Sequence, residues 1–195
     1  AFAQTASDHQ TLAELREDLR ARLQARASAQ ARAEYEQRVL QAVVDSSHVE
    51  VPESLVHAEV HSLLEDLEEE LRRRGLSWDR YLQLVGKSAE QVHDEFRPQA
   101  ESRVRTRLVL DAVAEAEGLQ PSEEEVAQAV QNLAEDSGRS PEEVRELLER
   151  TGGMARLRAS LRRRRAVAYL VERASGGAVT AEATSRPESR EEGEP

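Results

Sequence analysis

The chain has no cysteine among its 195 residues, and only 3% of them are aromatic. The absence of cysteine excludes disulfide bonds and thiolate metal sites, and it is typical of proteins from a reducing compartment. No apolar run approaches the roughly 20 residues that a membrane-spanning helix needs. The first ten residues, AFAQTASDHQ, lack the basic and apolar regions of a secretory signal. We therefore expect a cytoplasmic protein with no membrane partner.

The net charge of −11 argues against nucleic acid as a partner, because binding to phosphates depends on a high density of cations. The charges are unevenly distributed. Residues 154–173 contain seven arginines and one acid, whereas residues 121–150 contain nine acids and three arginines. Arg162 to Arg165 span a full helical turn and so do not form one phosphate-binding patch. We expect them to pair with the acidic segment instead.

Helix signals cover most of the chain, which is rich in Ala, Leu, Glu and Arg. Capping-box spacing, in which a hydroxyl and a side-chain acceptor satisfy each other's backbone amides, marks four helix starts. These are Thr11 with Glu14, Ser88 with Gln91, Ser122 with Glu125, and Ser140 with Glu143. Pro52 and Pro141 suit a first helical position, and Gly75, Gly118 and Gly138 suit helix ends. The predicted helices are 11–45, 52–75, 77–84, 88–117, 122–136, 140–150 and 153–174.

Apolar periodicity predicts an all-α fold with a helical body and two protruding helical-hairpin arms. One stripe, formed by Val56, Val60, Leu63, Leu67 and Leu71, faces a single partner helix, and Val126, Val130 and Leu133 form a similar stripe. Residues 39–44, 108–113 and 166–171 are apolar over a wider arc, so we expect them to meet in the body. The arms are then residues 52–104 and 121–161. Pro98 should kink or interrupt its helix.

The two ends of the chain differ from this helical region. Residues 1–10 are expected to be the remnant of a linker, since the chain begins at Ala1 without a methionine. Residues 176–195 carry five Glu and two Pro with no apolar period, which predicts a disordered acidic tail. The folded domain should therefore cover residues 11–175.

Six segments of the chain, in this order, carry a family resemblance. They are TLAELREDLRARL at 11–23, VPESLVHAEV at 51–60, GLSWDRYLQLVGKSAEQV at 75–92, RVRTRLVLDAVAEAEGLQPSEEEV at 103–126, SPEEVRELLER at 140–150 and LRRRRAVAYLVERA at 161–174. They resemble the C-terminal domain of trigger factor, the bacterial ribosome-associated chaperone and peptidyl-prolyl isomerase. The resemblance implies a long connecting helix, a helical body and two arms that form a cradle for unfolded or nascent polypeptides.

The family's other two parts have no counterpart in these 195 residues. Neither the ribosome-docking loop of pattern G-F-R-x-G-x-x-P nor an isomerase segment of the FK506-binding type is present. The resemblance therefore implies ribosome contact only through a part of the family that this chain lacks. There is no phosphate-binding glycine loop and no Ser/His/Asp spacing, so we expect neither catalysis nor a cofactor.

The candidate polypeptide-binding residues are of two kinds. A two-helix hairpin leaves the leucines that lie off its stripe without a partner, namely Leu55, Leu64, Leu76 and Leu84. Trp78 and Tyr81 are added because aromatic residues dominate contact energies. The alternative is a purely structural role, in which Trp78 and Tyr81 close the tip of the first arm on itself. His57, His61 and Glu65 share a helix face and would suit a divalent metal, but a solvated face is the commoner explanation and we expect no metal.

Two other functions are compatible with the residues. A helical adaptor or self-associating scaffold would bind one folded partner, and a periplasmic chaperone for outer-membrane proteins would have a similar helical core. The missing signal sequence weakens the periplasmic alternative. Breadth of binding separates a chaperone from an adaptor, because a chaperone binds many unrelated unfolded chains and an adaptor binds one partner tightly.

Overall fold

The structure, a computed structural model, describes residues 11–176, and within them every regular element is an α-helix. All seven predicted helices are present, with ends within two residues of the predicted ones. They are α1 (Leu12–Ser46), α2 (Glu53–Arg73), α3 (Trp78–Val85), α4 (Ala89–Ala116), α5 (Glu123–Ser137), α6 (Pro141–Arg150) and α7 (Gly153–Ala174). The all-α prediction is confirmed.

The four predicted capping boxes all form. At the start of α6, for example, the Ser140 hydroxyl accepts from the Glu143 amide at 3.2 Å, and the Glu143 carboxylate accepts from the Ser140 amide at 3.1 Å. Gly138 ends α5 with a φ of 65°, a left-handed conformation that glycine adopts without strain. Pro141 is a first helical residue as predicted, whereas Pro52 is one position earlier, at the N-cap of α2.

A first hairpin is formed by α2 and α4, with α3 at the turn between them. Its core contains Val56, Val60 and Leu63 of α2 packed against Ala100 of α4. The ion pair between Glu53 and Arg97, at 2.6 Å, joins the same two helices. The predicted single stripe on α2 is therefore correct, and its partner is α4.

The helix α4 runs unbroken through Pro98, so the expected interruption is wrong, while a kink, the other expected effect, stays a prediction. Pro98 lies on the exposed side of the helix, whereas Phe96 and Ala100 pack against the apolar cluster of α2. This packing stabilises the helix on both sides of the hydrogen bond that proline cannot donate.

A second hairpin is formed by α5 and α6, which pack against the start of α7. Val130, Ala134 and Val144 make its buried core, and Leu148, Met154 and Leu157 pack around it. Leu133, which the stripe placed inside, is 40% exposed, and Ala134 takes the buried position. The reason is that Ala134, four residues after Val130, continues the face that α6 covers.

The apolar arc at residues 108–113 is narrower than predicted. Val109 and Leu110 are buried, but Ala112 is exposed. The residues from 43 to 169 form one compact unit and contain both hairpins. The meeting of residues 39–44, 108–113 and 166–171 stays a prediction, as do the domain boundaries. The proposed linker and residues 177–195 of the acidic tail lie outside the described residues.

A second unit contains residues 11–42 and 170–176 of the described chain. Its part of α1 is largely exposed and carries ion pairs between residues four apart, such as Arg22 with Asp18 at 2.8 Å and Arg32 with Glu36 at 3.1 Å. Such pairs stabilise a helix that has few tertiary contacts of its own.

Candidate functional site

The turn of the first hairpin carries most of the candidate residues. Gly75, with a φ of 72°, follows α2, and the Leu76 amide then donates to the Leu71 carbonyl at 2.9 Å. Trp78 and Tyr81 of α3 stack with ring centroids 5.6 Å apart and an interplanar angle of 29°. Leu76 and both aromatic residues are half-buried. The stack supports the interpretation that these rings close the tip, while leaving part of each ring accessible.

The end of α3 presents an apolar edge to solvent. Leu84 is 62% exposed and Val85 is 39% exposed. Gly86, with a φ of 67°, then ends the helix, and the Lys87 ammonium pairs with the Glu95 carboxylate at 2.6 Å. The ion pair links the loop after α3 to α4, and Leu84 and Val85 are the last two residues of α3.

The other two candidates lie further along α2. Leu64 is half-buried and packs against the cluster of Val56, Val60, Leu63 and Ala100, so the expectation that it lacks a partner is wrong. Leu55 is half-buried near the start of the helix. At about 1.5 Å per residue, Leu55 is about 27 Å along α2 from Arg73. The six candidates therefore do not form one contiguous patch, although four of them cluster at α3 and the turn before it.

Sequence reasoning missed two exposed apolar features. On α5, Leu133 is exposed because Ala134 occupies the buried position. On α1, Leu12, Leu19 and Leu23 are between 48% and 66% exposed. Their spacing of seven and four residues puts them on one helix face, and this signal was readable in the sequence. They form an apolar stripe on a helix expected only to connect.

Charge pairing across the first hairpin is strong at its open end. Two guanidinium nitrogens of Arg97 contact the Glu53 carboxylate, each at 2.6 Å. The hydrogen bond from Arg97 lowers the pKa of Glu53 below its usual 4.5, and the same contact raises the pKa of Arg97. Both groups are exposed, so this pair orients the helices more than it stabilises them.

The arginines of α7 divide between two partners, and the predicted pairing with the acidic segment is correct in part. Arg165 contacts Glu125 of α5 at 3.3 Å. Arg162 and Arg163 contact Asp111 of α4 instead, at 3.6 and 3.2 Å. Because these neighbours point to different sides of α7, the run does not act as one patch.

The histidines of α2 contact separate carboxylates. The ring of His57 lies 3.2 Å from Glu53, and that of His61 lies 3.2 Å from Glu65. Within residues 11–176 no three His, Cys, Asp or Glu side chains are grouped so that they could hold a metal ion. The same residues contain no helix with the length and apolarity of a membrane span.

Comparison with known proteins gives one consistent family. The family described as bacterial trigger factor protein (TF) C-terminus matches residues 11–172. The chain is 36% identical over 173 residues to trigger factor of Carboxydothermus hydrogenoformans, covering 89% of this chain and 40% of that protein. It is 32% identical over 172 residues to trigger factor of Shouchella clausii, covering 88% of this chain and 40% of that protein.

A solved structure has the same fold. It belongs to a study of the domains of trigger factor from Thermotoga maritima, with a TM-score of 0.51 and 20% identity over 72% of this chain and 81% of that one. The chain spans about two fifths of the length of the curated relatives that it matches. It belongs to the trigger factor family and corresponds to the family's C-terminal domain.

Proposed function

We propose that this chain is a chaperone domain that holds unfolded or nascent polypeptides, without ATP, in a cradle between its two helical arms. The observation that carries the proposal is the apolar edge of α3, where Leu84 and Val85 stay exposed while the core of the same hairpin is buried between α2 and α4. An apolar surface that is not buried within the fold is available to contact apolar side chains of another polypeptide.

The expected affinity is weak. Burial of apolar surface contributes about 25 cal/mol per Å², so a contact of a few hundred Å² yields several kcal/mol before the costs of association and ordering. Binding of this strength is reversible, which suits a protein that must release its clients. Leu84, Trp78 and Tyr81, with Leu76 in the turn before α3, would form this contact, and Leu55 would form a separate one near the start of α2.

The wider role follows from the family. The family resemblance implies that the full-length protein is a ribosome-associated chaperone and peptidyl-prolyl isomerase of the cytoplasm. We propose that this chain acts in that context. Ribosome contact and isomerisation would depend on the family's other domains. The 195 residues themselves have no isomerase-like segment, so this polypeptide should not accelerate prolyl isomerisation.

A second candidate function is a helical adaptor or self-associating scaffold that binds one folded partner. The exposed leucine stripe of α1, formed by Leu12, Leu19 and Leu23, favours it because a single apolar helix face suits one complementary helix. An adaptor would bind that partner in its native form, which a holding chaperone ignores.

The test is suppression of aggregation by three forms of the chain, each added in molar excess to several unrelated unfolded proteins without nucleotide. Leu84→Glu places a charge on the proposed surface, and Gln83→Glu adds the same charge to the neighbouring exposed position. Gln83 accepts from Arg80 at 3.2 Å, and a glutamate there can still accept. Leu64 is unsuitable because it packs against the hairpin core.

We expect protection by the parent chain and by Gln83→Glu, and weaker protection by Leu84→Glu with unchanged helicity by circular dichroism. Equal protection by all three forms would remove Leu84 from the binding surface. Failure of the parent chain with every client, together with tight binding of one native protein, would support the adaptor instead.

A further inference from the structure

An open groove of about 320 Å³ lies between α4 and α7 in the unit formed by residues 43–169. Four arginines line it: Arg103 and Arg107 come from α4, and Arg163 and Arg164 from α7. The four consecutive arginines of α7 do not form a patch by themselves. Two of them, however, line the groove together with two arginines of α4 that lie about 60 positions earlier in the sequence. We call this site the arginine groove.

The arginine groove has an excess of positive charge. Arg103 and Arg107 share one carboxylate, that of Glu59, at 3.6 and 3.1 Å. In the same way Arg162 and Arg163 share the carboxylate of Asp111. Arg164 is exposed and makes no ion pair with the residues that the structure describes. The four arginines that line the groove therefore have two carboxylates as ion-pair partners, and one of these, Asp111, is shared with Arg162 outside the lining, in a chain whose net charge is −11.

Because two arginines share each carboxylate, some of their N–H groups remain without an acceptor. A guanidinium has five N–H donors, and a single contact at 3.1–3.6 Å uses one or two of them. Arg103 and Arg163 keep 51% and 25% of their side-chain surface accessible, so these donors can reach a ligand. The hydroxyls of Ser102 and Thr106 add further donors to the groove wall.

The rest of the groove lining is apolar. Leu110 is buried, Val167 is half-buried, and both line the groove between the arginines. A groove of about 320 Å³ is large enough to hold more than a single ion. A bare inorganic ion would leave the apolar lining uncovered, whereas a carboxylate next to an aliphatic side chain would use both features.

We propose that the arginine groove binds acidic segments of unfolded polypeptides, in which Glu or Asp alternates with aliphatic residues. The carboxylates contact Arg164 and the free donors of Arg103, Arg107 and Arg163, and an aliphatic side chain covers Leu110 and Val167. The nature of this partner rests on the proposed chaperone function, but the groove is a different surface from the apolar edge at Leu84. The arginine groove would extend the range of clients to acidic segments, which bind poorly to a purely apolar surface.

The test uses two labelled peptides that differ only in charge, one alternating Leu with Glu and the other alternating Leu with Gln. Fluorescence anisotropy with the full chain at low salt should give tighter binding of the Glu peptide by about threefold to tenfold, as expected for a few exposed charge pairs. The preference should shrink as salt rises, because exposed charges are screened.

Two variants with the same change of net charge locate the site. Arg164→Glu reverses the charge inside the groove, and it breaks no ion pair, so folding should be unaffected. Arg20→Glu makes the same change at an exposed position of α1 that does not line the groove. Arg164→Glu should abolish the preference for the Glu peptide, Arg164→Gln should reduce it by about half, and Arg20→Glu should keep it.

Equal binding of the two peptides by the parent chain would overturn the proposal, as would an equal loss of preference in Arg164→Glu and Arg20→Glu. Neither result would affect the proposed chaperone function. That function is tested separately, by the aggregation assay with Leu84→Glu and by binding of the uncharged Gln peptide. A failed aggregation assay with an intact Glu preference would instead remove the chaperone function and leave the groove as an acidic-peptide site.

Discussion

Arg158 of α7 binds Glu123 of α5 through two parallel hydrogen bonds, from Nη1 to Oε1 at 2.9 Å and from Nη2 to Oε2 at 3.0 Å. The two residues are 35 positions apart, so the contact fixes the start of α5 against the first half of α7. This fork geometry is the one in which arginine recognises a carboxylate most specifically. It also lowers the pKa of Glu123 and raises that of Arg158.

Replacement of Arg158 by lysine should loosen the start of α5 even though the positive charge is kept. Lysine cannot form the two parallel bonds, so the effect reports geometry rather than charge. The expected result is faster amide hydrogen exchange in the first turn of α5 with little change in the thermal midpoint. Arg156→Lys is the matched control, since within residues 11–176 Arg156 contacts the Thr151 carbonyl and no carboxylate. Equal exchange in the two variants would contradict the role of the fork.

Truncation of the first hairpin's core should be far more costly than truncation of its exposed edge. Leu63 is 5% exposed within the α2–α4 cluster, so Leu63→Ala should lower the free energy of unfolding by about 2–5 kcal/mol. Leu84→Ala, at a 62% exposed position, should change it by about 0.5 kcal/mol or less. Chemical denaturation of the two variants measures both. A large loss in Leu84→Ala would mean that Leu84 is structural rather than free to bind clients.

The pair of Glu53 and Arg97 should make stability depend on pH in the acidic range. The pKa of Glu53 is lowered by its hydrogen bond from Arg97, so its stabilising effect is present above the usual value of 4.5 and is lost as pH falls through the lower folded value. Glu53→Gln should therefore be slightly less stable than the parent chain near pH 7. The difference should vanish in strong acid.

Thermal melts of the parent chain and of Glu53→Gln across pH 2–7, an interval set by the usual acidic pKa range, test this dependence. The difference near neutral pH should also decrease at high salt, because both groups are exposed. A constant difference at every pH would show that the variant acts through packing rather than through the carboxylate charge.

Loss of the α6 capping box should weaken the second hairpin. Ser140→Ala removes the acceptor for the Glu143 amide, and such a change typically costs about 1 kcal/mol. Ser160→Ala, in the middle of α7, removes only a bond to the carbonyl of Leu157 and should cost about 0.5 kcal/mol or less. Urea unfolding compares the two. An equal loss of unfolding free energy in the two variants would show that packing, rather than the N-terminal cap, stabilises α6.

The helix boundaries were predictable because they depend on local chemistry. A capping box lies within four residues, so Ser122 with Glu125 and Ser140 with Glu143 can be read without knowledge of the fold. Glycines with positive φ, such as Gly138, end helices for an equally local reason. The same holds for the stripe on α2, whose spacing alone indicates one covered face.

The details of the surface were not predictable, because they depend on what a distant helix covers. Periodicity placed Leu64 off the covered stripe of α2 and Leu133 on that of α5, and the positions of α4 and α6 decide instead that the first is packed and the second exposed. The arginine groove combines residues near 103 with residues near 163. A count of charges within one helix does not reveal such a site, since the sequence does not show which two arginine-bearing faces meet.

The pairing of α2 with α4 also affects how this protein is made. A chain grows from its N-terminus at about 5–20 residues per second. The apolar face of Val56, Val60 and Leu63 therefore leaves the site of synthesis roughly 40 residues before Ala100, its partner in the hairpin. For about 2–8 seconds that face has nothing of its own chain to cover it. During its own synthesis this protein thus presents the kind of segment that it is proposed to hold.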